Sequence, residues 1–129
     1  GALGDVRLVG PRQMVAMATV ESAALRDAVM LEPGRFTAGF EKATSGLTSL
    51  SGVPGALLFS DEAFGHSGFG GSIGFADPGG RFSFGYTLNR HVEHVPGGVD
   101  RYQRLIDATY RALGYGGRET GRWRPGAAA

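Results

Sequence analysis

The sequence predicts an α+β domain in which an antiparallel sheet of three to five strands is packed by a C-terminal helix. Three observations carry this. The turn Asp77-Pro78-Gly79-Gly80 separates two apolar stretches, Gly71 to Ala76 and Arg81 to Asn89, as in an antiparallel hairpin. Arg35 to Glu41 alternates, with Phe36, Ala38 and Phe40 on one side. Asp100 to Gly114 carries apolar residues at helical spacing.

In chain order, Gly10-Pro11 opens a first helix. Proline suits the first helical position, and Met14, Val15 and Ala18 follow at helical spacing. Ser22 to Met30 reads as a further helical turn or two capped by Ser22. The alternating strand Arg35 to Glu41 comes next, then Lys42 to Gly55, rich in Ser, Thr and Gly and without a period. Connections of that length are often functional. Ala56 to Ser60 reads as a short apolar strand.

In the hairpin, Phe82, Phe84, Tyr86 and Leu88 share a core face, while Ser83, Gly85, Thr87 and Asn89 share a small one. With Gly74 and Ala76, that small face offers a helix a close seat on the sheet. For the last helix Asp100 is the predicted cap, with Gln103 completing a capping-box-like pair. Tyr102, Leu105, Ile106, Thr109 and Leu113 form the predicted buried stripe. Asp100–Arg104 and Asp107–Arg111 are i,i+4 pairs on the wetter side, and Gly114 ends the helix. Residues 1–114 form the predicted domain body, and residues 115–129 a Gly/Arg/Pro-rich tail whose Trp123 is a candidate for docking on the body.

Composition narrows the function classes. With 129 residues the chain is one domain at most, of a size that buries about two-thirds of its unfolded surface. Net charge is +1 and the basic residues are scattered, which argues against a nucleic-acid surface. The absence of cysteine excludes a disulfide framework and thiolate metal sites. No apolar run approaches the roughly 20 residues of a membrane span. The compartment is left open by the sequence. His91 and His94 flank Glu93 in a loop, and the simplest reading of them is solvated side chains, with no metal site.

The 23 glycines crowd around "FGHSGFGGSIGFADPGG", Phe64 to Gly80. A dinucleotide fingerprint starting at Gly68 requires glycine at position 73, where Ile73 stands, and Lys42 is the only lysine, so no Walker-type loop exists. Gly70-Gly71-Ser72-Ile73-Gly74 matches G-x-S-x-G, but that motif needs a strand-to-helix turn. Here a second strand follows, and Ser72 reads as a strand serine.

"FGHSGFGGSIGFADPGGRFSFGYTLNR", followed after a loop by "RYQRLIDATYRALG", resembles the C-terminal part of serine hydrolases of the β-lactamase and penicillin-binding-protein superfamily. It looks closest to the esterase-like branch, in which the third active-site box, often Lys-Thr-Gly, appears as His-x-Gly. Arg35-Phe36 with Gly39-Phe40 is similar to the preceding strand, and the resemblance spans most of Val6 to Gly114. It implies the C-terminal part of a β-lactamase/transpeptidase-like fold, acting through an acyl-serine intermediate without a cofactor. In that superfamily a Ser-x-x-Lys box supplies nucleophile and base, and a Tyr-x-Asn box helps move protons. The third box is an edge strand forming the opposite wall of the cleft.

Carried over, His66, Ser67 and Gly68 line that wall as substrate-binding residues, and the backbone N–H of Phe69 is one oxyanion-hole donor. Such a donor is worth about 3 kcal/mol of transition-state stabilisation. Histidine in place of lysine removes a permanent cation and favours esters over β-lactam substrates that carry a carboxylate. No Ser-x-x-Lys or Tyr-x-Asn occurs in this sequence. The expectation is therefore a C-terminal segment whose nucleophile and base boxes lie upstream, inactive alone, with an uncovered sheet edge and apolar face inviting a homodimer or strand exchange. The other reading is a non-catalytic binding or interaction module retaining part of the scaffold.

Overall fold

The computed structural model describes residues 1–29, 31–44, 60–68, 70–90, 102–117 and 123–126. An N-terminal hairpin, β1 (Ala2–Leu3) and β2 (Val6–Arg7), leads into α1 (Pro11–Ala18). A six-stranded antiparallel sheet follows in the order β3 (Ser22–Ala24), β4 (Gly34–Phe36), β5 (Glu41–Lys42), β6 (Phe64–Ser67), β7 (Ile73–Asp77) and β8 (Phe82–Tyr86). Helix α2 (Gln103–Ala112) comes next, and β9 (Tyr115–Gly116) pairs with β10 (Arg124–Pro125). The α+β class expected from the sequence is present, with six strands in the main sheet where three to five were expected.

Helix α1 starts where expected, with Gly10 as its cap residue and proline in its first turn. Its Met14, Met17 and Ala18 are half-buried, whereas Val15 is 67% exposed. The hairpin β7–β8 is also where expected, in the register Asp77↔Phe82 to Ile73↔Tyr86. Asp77 closes its turn by accepting the Gly80 N–H at 2.9 Å.

Two segments depart from the expectation. Ser22 to Met30 is not helical at its start, because Ser22–Ala24 pairs with Gly34–Phe36 as an edge strand. Ladder hydrogen bonds supplied by β4 override a weak local helical preference. Arg35 to Glu41 is a hairpin, not one strand, since Phe36 faces Glu41 across the ladder. Gly39 turns the chain at φ 116°, a region that favours glycine. The Thr37 N–H donates to the Phe40 carbonyl at 2.8 Å, closing the turn. Apolar alternation across Phe36, Ala38 and Phe40 concealed it. Of the apolar strand expected at Ala56 to Ser60, residues 56–59 lie outside the described residues, and Ser60 makes a parallel bridge with Trp123.

The core lies on one face of the sheet, where Ile73 and Phe75 of β7 meet Tyr102, Ile106 and Tyr110 of α2, with Phe82, Phe84 and Tyr86 packed around them. Helix α2 thus sits on the aromatic face. The small face expected to receive a helix is open instead, and a Cβ at Gly74 or Gly85 would meet nothing within 4 Å among the described residues. The buried stripe of α2 is also narrower than the leucine pattern suggested. Tyr102, Ile106 and Tyr110 are buried, whereas Leu105 and Leu113 are each 47% exposed. Asp107, expected on the wet side, is buried and accepts a hydrogen bond from Gln103 at 2.8 Å. The cap residue is Tyr102, without a side-chain cap hydrogen bond, so Gln103 is the first helical residue and not the third of a capping box. The expected cap, Asp100, lies outside the described residues. The helix ends at Gly114 as expected, at φ 76°.

Tyr110 is the centre of the packing. Its ring stacks on Trp123 with centroids 5.4 Å apart and meets the edge of Phe82 at the same separation. Phe75 stacks at 6.2 Å and Tyr115 is tilted at 5.0 Å. Such ring pairs each add about 1 kcal/mol beyond the burial of their area. Trp123 is buried, and the Arg111 guanidinium lies over its ring at 5.6 Å.

A polar knot holds this packing together. Asp77 is 1% exposed, and its Oδ2 accepts the Ser60 hydroxyl at 2.7 Å and the Tyr110 hydroxyl at 2.9 Å. The Tyr110 oxygen in turn accepts the Ser60 N–H at 3.2 Å, and the Ser60 hydroxyl oxygen accepts the Ala63 N–H at 3.2 Å. Removing one member of such a knot leaves its partners buried and unsatisfied. Asp77→Ala is therefore expected to cost about 3 kcal/mol or more and Tyr110→Phe about 2 kcal/mol, read from the shift of a urea unfolding transition.

Burial, with Asp77 adding to it and hydrogen bonds from Ser60 opposing, pushes the Tyr110 phenol above the ordinary tyrosine range. Its folded value exceeds its unfolded value, so the linked stability is complete below about pH 10 and declines as pH rises through the folded value. In a pH series of unfolding curves, Tyr110→Phe is expected to flatten the alkaline fall in stability.

Candidate functional site

The glycine-rich segment forms β6, a tight turn and β7. β6 pairs along its whole length with β7, from Phe64↔Ala76 to Ser67↔Ile73. On the other side β5 is only two residues long and reaches no further than Phe64 and Gly65. β6 is thus an interior strand at its start, and it becomes an open edge at His66 and Ser67 among the described residues. Where the expectation was an edge strand, Phe64 and Gly65 are paired on both sides.

Close approach of backbones sets this geometry. A Cβ at Gly65 would collide with the Gly74 carbonyl and with Phe75, so only glycine fits where β6 lies against β7. After Ser67 the chain turns through Gly68, whose N–H donates to the Ser72 carbonyl at 2.7 Å. Ser72 therefore belongs to the turn and not to the strand it was assigned to, and β7 follows it directly. No strand-to-helix elbow exists there, in agreement with the rejection of the G-x-S-x-G match.

His66 and Gly68 are exposed and Ser67 is half-buried, so the three candidate wall residues come together at the open end of β6. Phe69, the candidate oxyanion donor, lies outside the described residues, as do His91, Glu93 and His94. Among the described residues, no group of three or more His, Cys, Asp or Glu side chains is arranged to hold a metal ion. No described helix is long and apolar enough to cross a membrane.

The sequence reading missed Glu41. Its Oε1 lies 3.5 Å from His66 Nε2, while His66 Nδ1 sits 2.7 Å from the Ser67 carbonyl oxygen. Burial pushes the Glu41 carboxyl above the usual carboxylate range, and His66 acts in the opposite direction. No sequence motif marks the pair, because it depends on β5 meeting β6 across a stretch without periodicity.

Behind the wall lies a charged cluster. Lys42 is buried, and burial pushes its ammonium below the ordinary range, with Arg35 adding to the shift and Asp61, Glu62 and Asp77 opposing it. Arg35 donates to the Ala43 carbonyl at 2.8 Å and lies 3.7 Å from the Asp61 carboxylate, tying β4 and β5 to the start of β6.

This architecture matches the C-terminal part of the β-lactamase-like fold. The chain is similar to a solved structure described as a family VIII carboxylesterase, with 33% identity and a TM-score of 0.66. The likeness covers 86% of this chain and 27% of that one, so this chain spans about a quarter of the length of the protein it resembles. The likeness supports the β-lactamase-like superfamily and a serine-hydrolase-like scaffold. No protein-family model matches the chain, and no curated protein does.

Proposed function

We propose that the chain is the cleft-wall segment of a serine acyl hydrolase of the esterase-like branch, with nucleophile and base on a preceding segment. The observation that carries this reading is the likeness to a carboxylesterase over 86% of the chain, beside which stands the end of β6, open among the described residues. In the reaction the nucleophilic serine gives its proton to the base as its oxygen bonds to the ester carbonyl carbon. The alcohol then leaves with that proton. Water attacks the acyl-serine in a second step, and the carboxylic acid is released with the serine restored.

The residues of this chain bind and orient. His66, Ser67 and Gly68 form the wall beside the acyl group, and the Phe69 N–H donates to the developing oxyanion. A small neutral ester is the substrate class that fits an imidazole where a lysine would bring a fixed charge.

A second reading, a non-catalytic binding module, draws on the serines themselves. Ser60 is buried and hydrogen-bonded to Asp77, and among the described residues no basic side chain is hydrogen-bonded to the hydroxyl of Ser67 or Ser72, since His66 reaches only the Ser67 carbonyl. Assays with p-nitrophenyl butyrate separate the readings. The chain alone is expected to show no turnover, and the complete protein carrying it is expected to turn the ester over. Phe69→Pro in that protein removes one donor and is expected to lower kcat about 100-fold, with an unchanged circular dichroism spectrum. Turnover by the chain alone that disappears in Ser67→Ala or Ser72→Ala would overturn the assignment, and an inactive complete protein would favour the module.

The chain taken alone is also expected to self-associate. Leu3, Leu8 and Val15 are exposed, and an open, mostly apolar groove of about 610 Å³ is lined by Leu8, Val9, Gln13, Ala16 and Met17. Light scattering coupled to size exclusion is expected to give a dimer, and a monomer at all concentrations would count against it.

A further inference from the structure

We infer that Glu41 is a specificity-determining positioning residue, which holds His66 in a proton-sharing pair of zero net charge at the open end of β6. Near neutral pH the wall therefore accepts neutral acyl groups and rejects anionic ones. The inference rests on the proposed function for its substrate, but its physical core is independent of catalysis.

The argument is one of hydrogen-bond bookkeeping. A carbonyl oxygen can only accept, so His66 Nδ1, 2.7 Å from the Ser67 oxygen, must carry a proton. In a neutral imidazole with that tautomer, Nε2 is a lone pair. Nε2 faces Glu41 Oε1 at 3.5 Å, and a lone pair opposite a carboxylate is repulsive. The contact is favourable when one further proton lies between the two groups, on Nε2 or on the carboxyl oxygen. Either placement leaves the pair neutral overall.

Glu41 is suited to this. It is more buried than His66, with side-chain exposures of 22% and 60%, and burial raises its carboxyl above the ordinary range. His66 is the charged group that acts on it, and the residue facing His66 on β7 is Gly74, which carries no charge. Arg35, Asp61, Glu62 and Asp77 gather around Lys42 instead.

The sign with pH follows. At neutral pH the pair carries no positive charge beyond what Glu41 cancels. When both groups hold protons the pair gains one positive charge, and an anion can bind. Glu41→Gln removes the cancelling charge, so the wall becomes cationic wherever the imidazole is protonated.

The test is nitrogen-15 NMR of the chain itself, with butyrate as anionic probe and butyramide as neutral probe. The expected result is a protonated Nδ1 in the native chain. Near pH 6, Glu41→Gln is expected to bind butyrate about fivefold more tightly than the native chain, with butyramide unaffected. In His66→Asn the Glu41 carboxyl, followed by its carbon-13 shift, is expected to titrate at still higher pH, because the group that lowers it is gone. Equal butyrate binding by native and Glu41→Gln chains, or an Nδ1 without a proton, would overturn the inference. These readouts need no turnover. An inactive complete protein would therefore refute the proposed hydrolase while leaving the proton-sharing pair standing.

Discussion

Asp77 is the point on which the described structure depends. Its carboxylate ends β7, closes the β7–β8 turn through the Gly80 N–H, and reaches across to α2 through the Tyr110 hydroxyl. Through the Ser60 hydroxyl it also fixes the start of the segment that becomes β6. A carboxylate 1% exposed is tolerable only because each of these donors satisfies it. The sheet, the helix and the approach to His66 are joined at one residue.

That junction also ties down the segment that leads into β6. Ser60 meets Trp123 in a parallel bridge, and Trp123 stacks on Tyr110, so the segment before β6 is held from both sides. Arg35 adds a second tie, from β4 to Asp61. Phe64 and Gly65 are consequently buried and paired on both edges, and only beyond them does the strand open. A site built on such a strand is held more tightly than one built on a free loop.

The parts of the fold legible in the sequence are those specified locally. Pro11 marks α1, and Asp-Pro-Gly-Gly marks the turn of the β7–β8 hairpin, because turn and cap chemistry acts over a few residues. Parts decided by distant partners were not legible. Ser22–Ala24 is a strand only because β4 lies beside it. The buried face of α2 follows Tyr102, Ile106 and Tyr110 and not the leucines, because the Tyr110 hydroxyl finds Asp77 from 33 positions away. Of the candidate site, His66, Ser67 and Gly68 were legible from the motif that contains them, whereas Glu41 was not. It reaches His66 only through the pairing of β5 with β6.

The shortness of β5 is what turns a structural strand into a candidate binding edge. The turn at Thr37–Phe40 reverses the chain immediately before Glu41, so the ladder beside β6 cannot extend past Gly65. Two consequences follow from the same cut. Among the described residues the backbone edge at His66 and Ser67 is left without a strand on that side. Glu41, first residue of the shortened strand, stands next to the opening with its carboxylate against His66. A β5 longer by two residues would pair that edge while leaving Glu41 opposite Gly65. Access to this end of β6 is therefore set by one turn, and a change at Gly39, which turns the chain at φ 116°, would alter it.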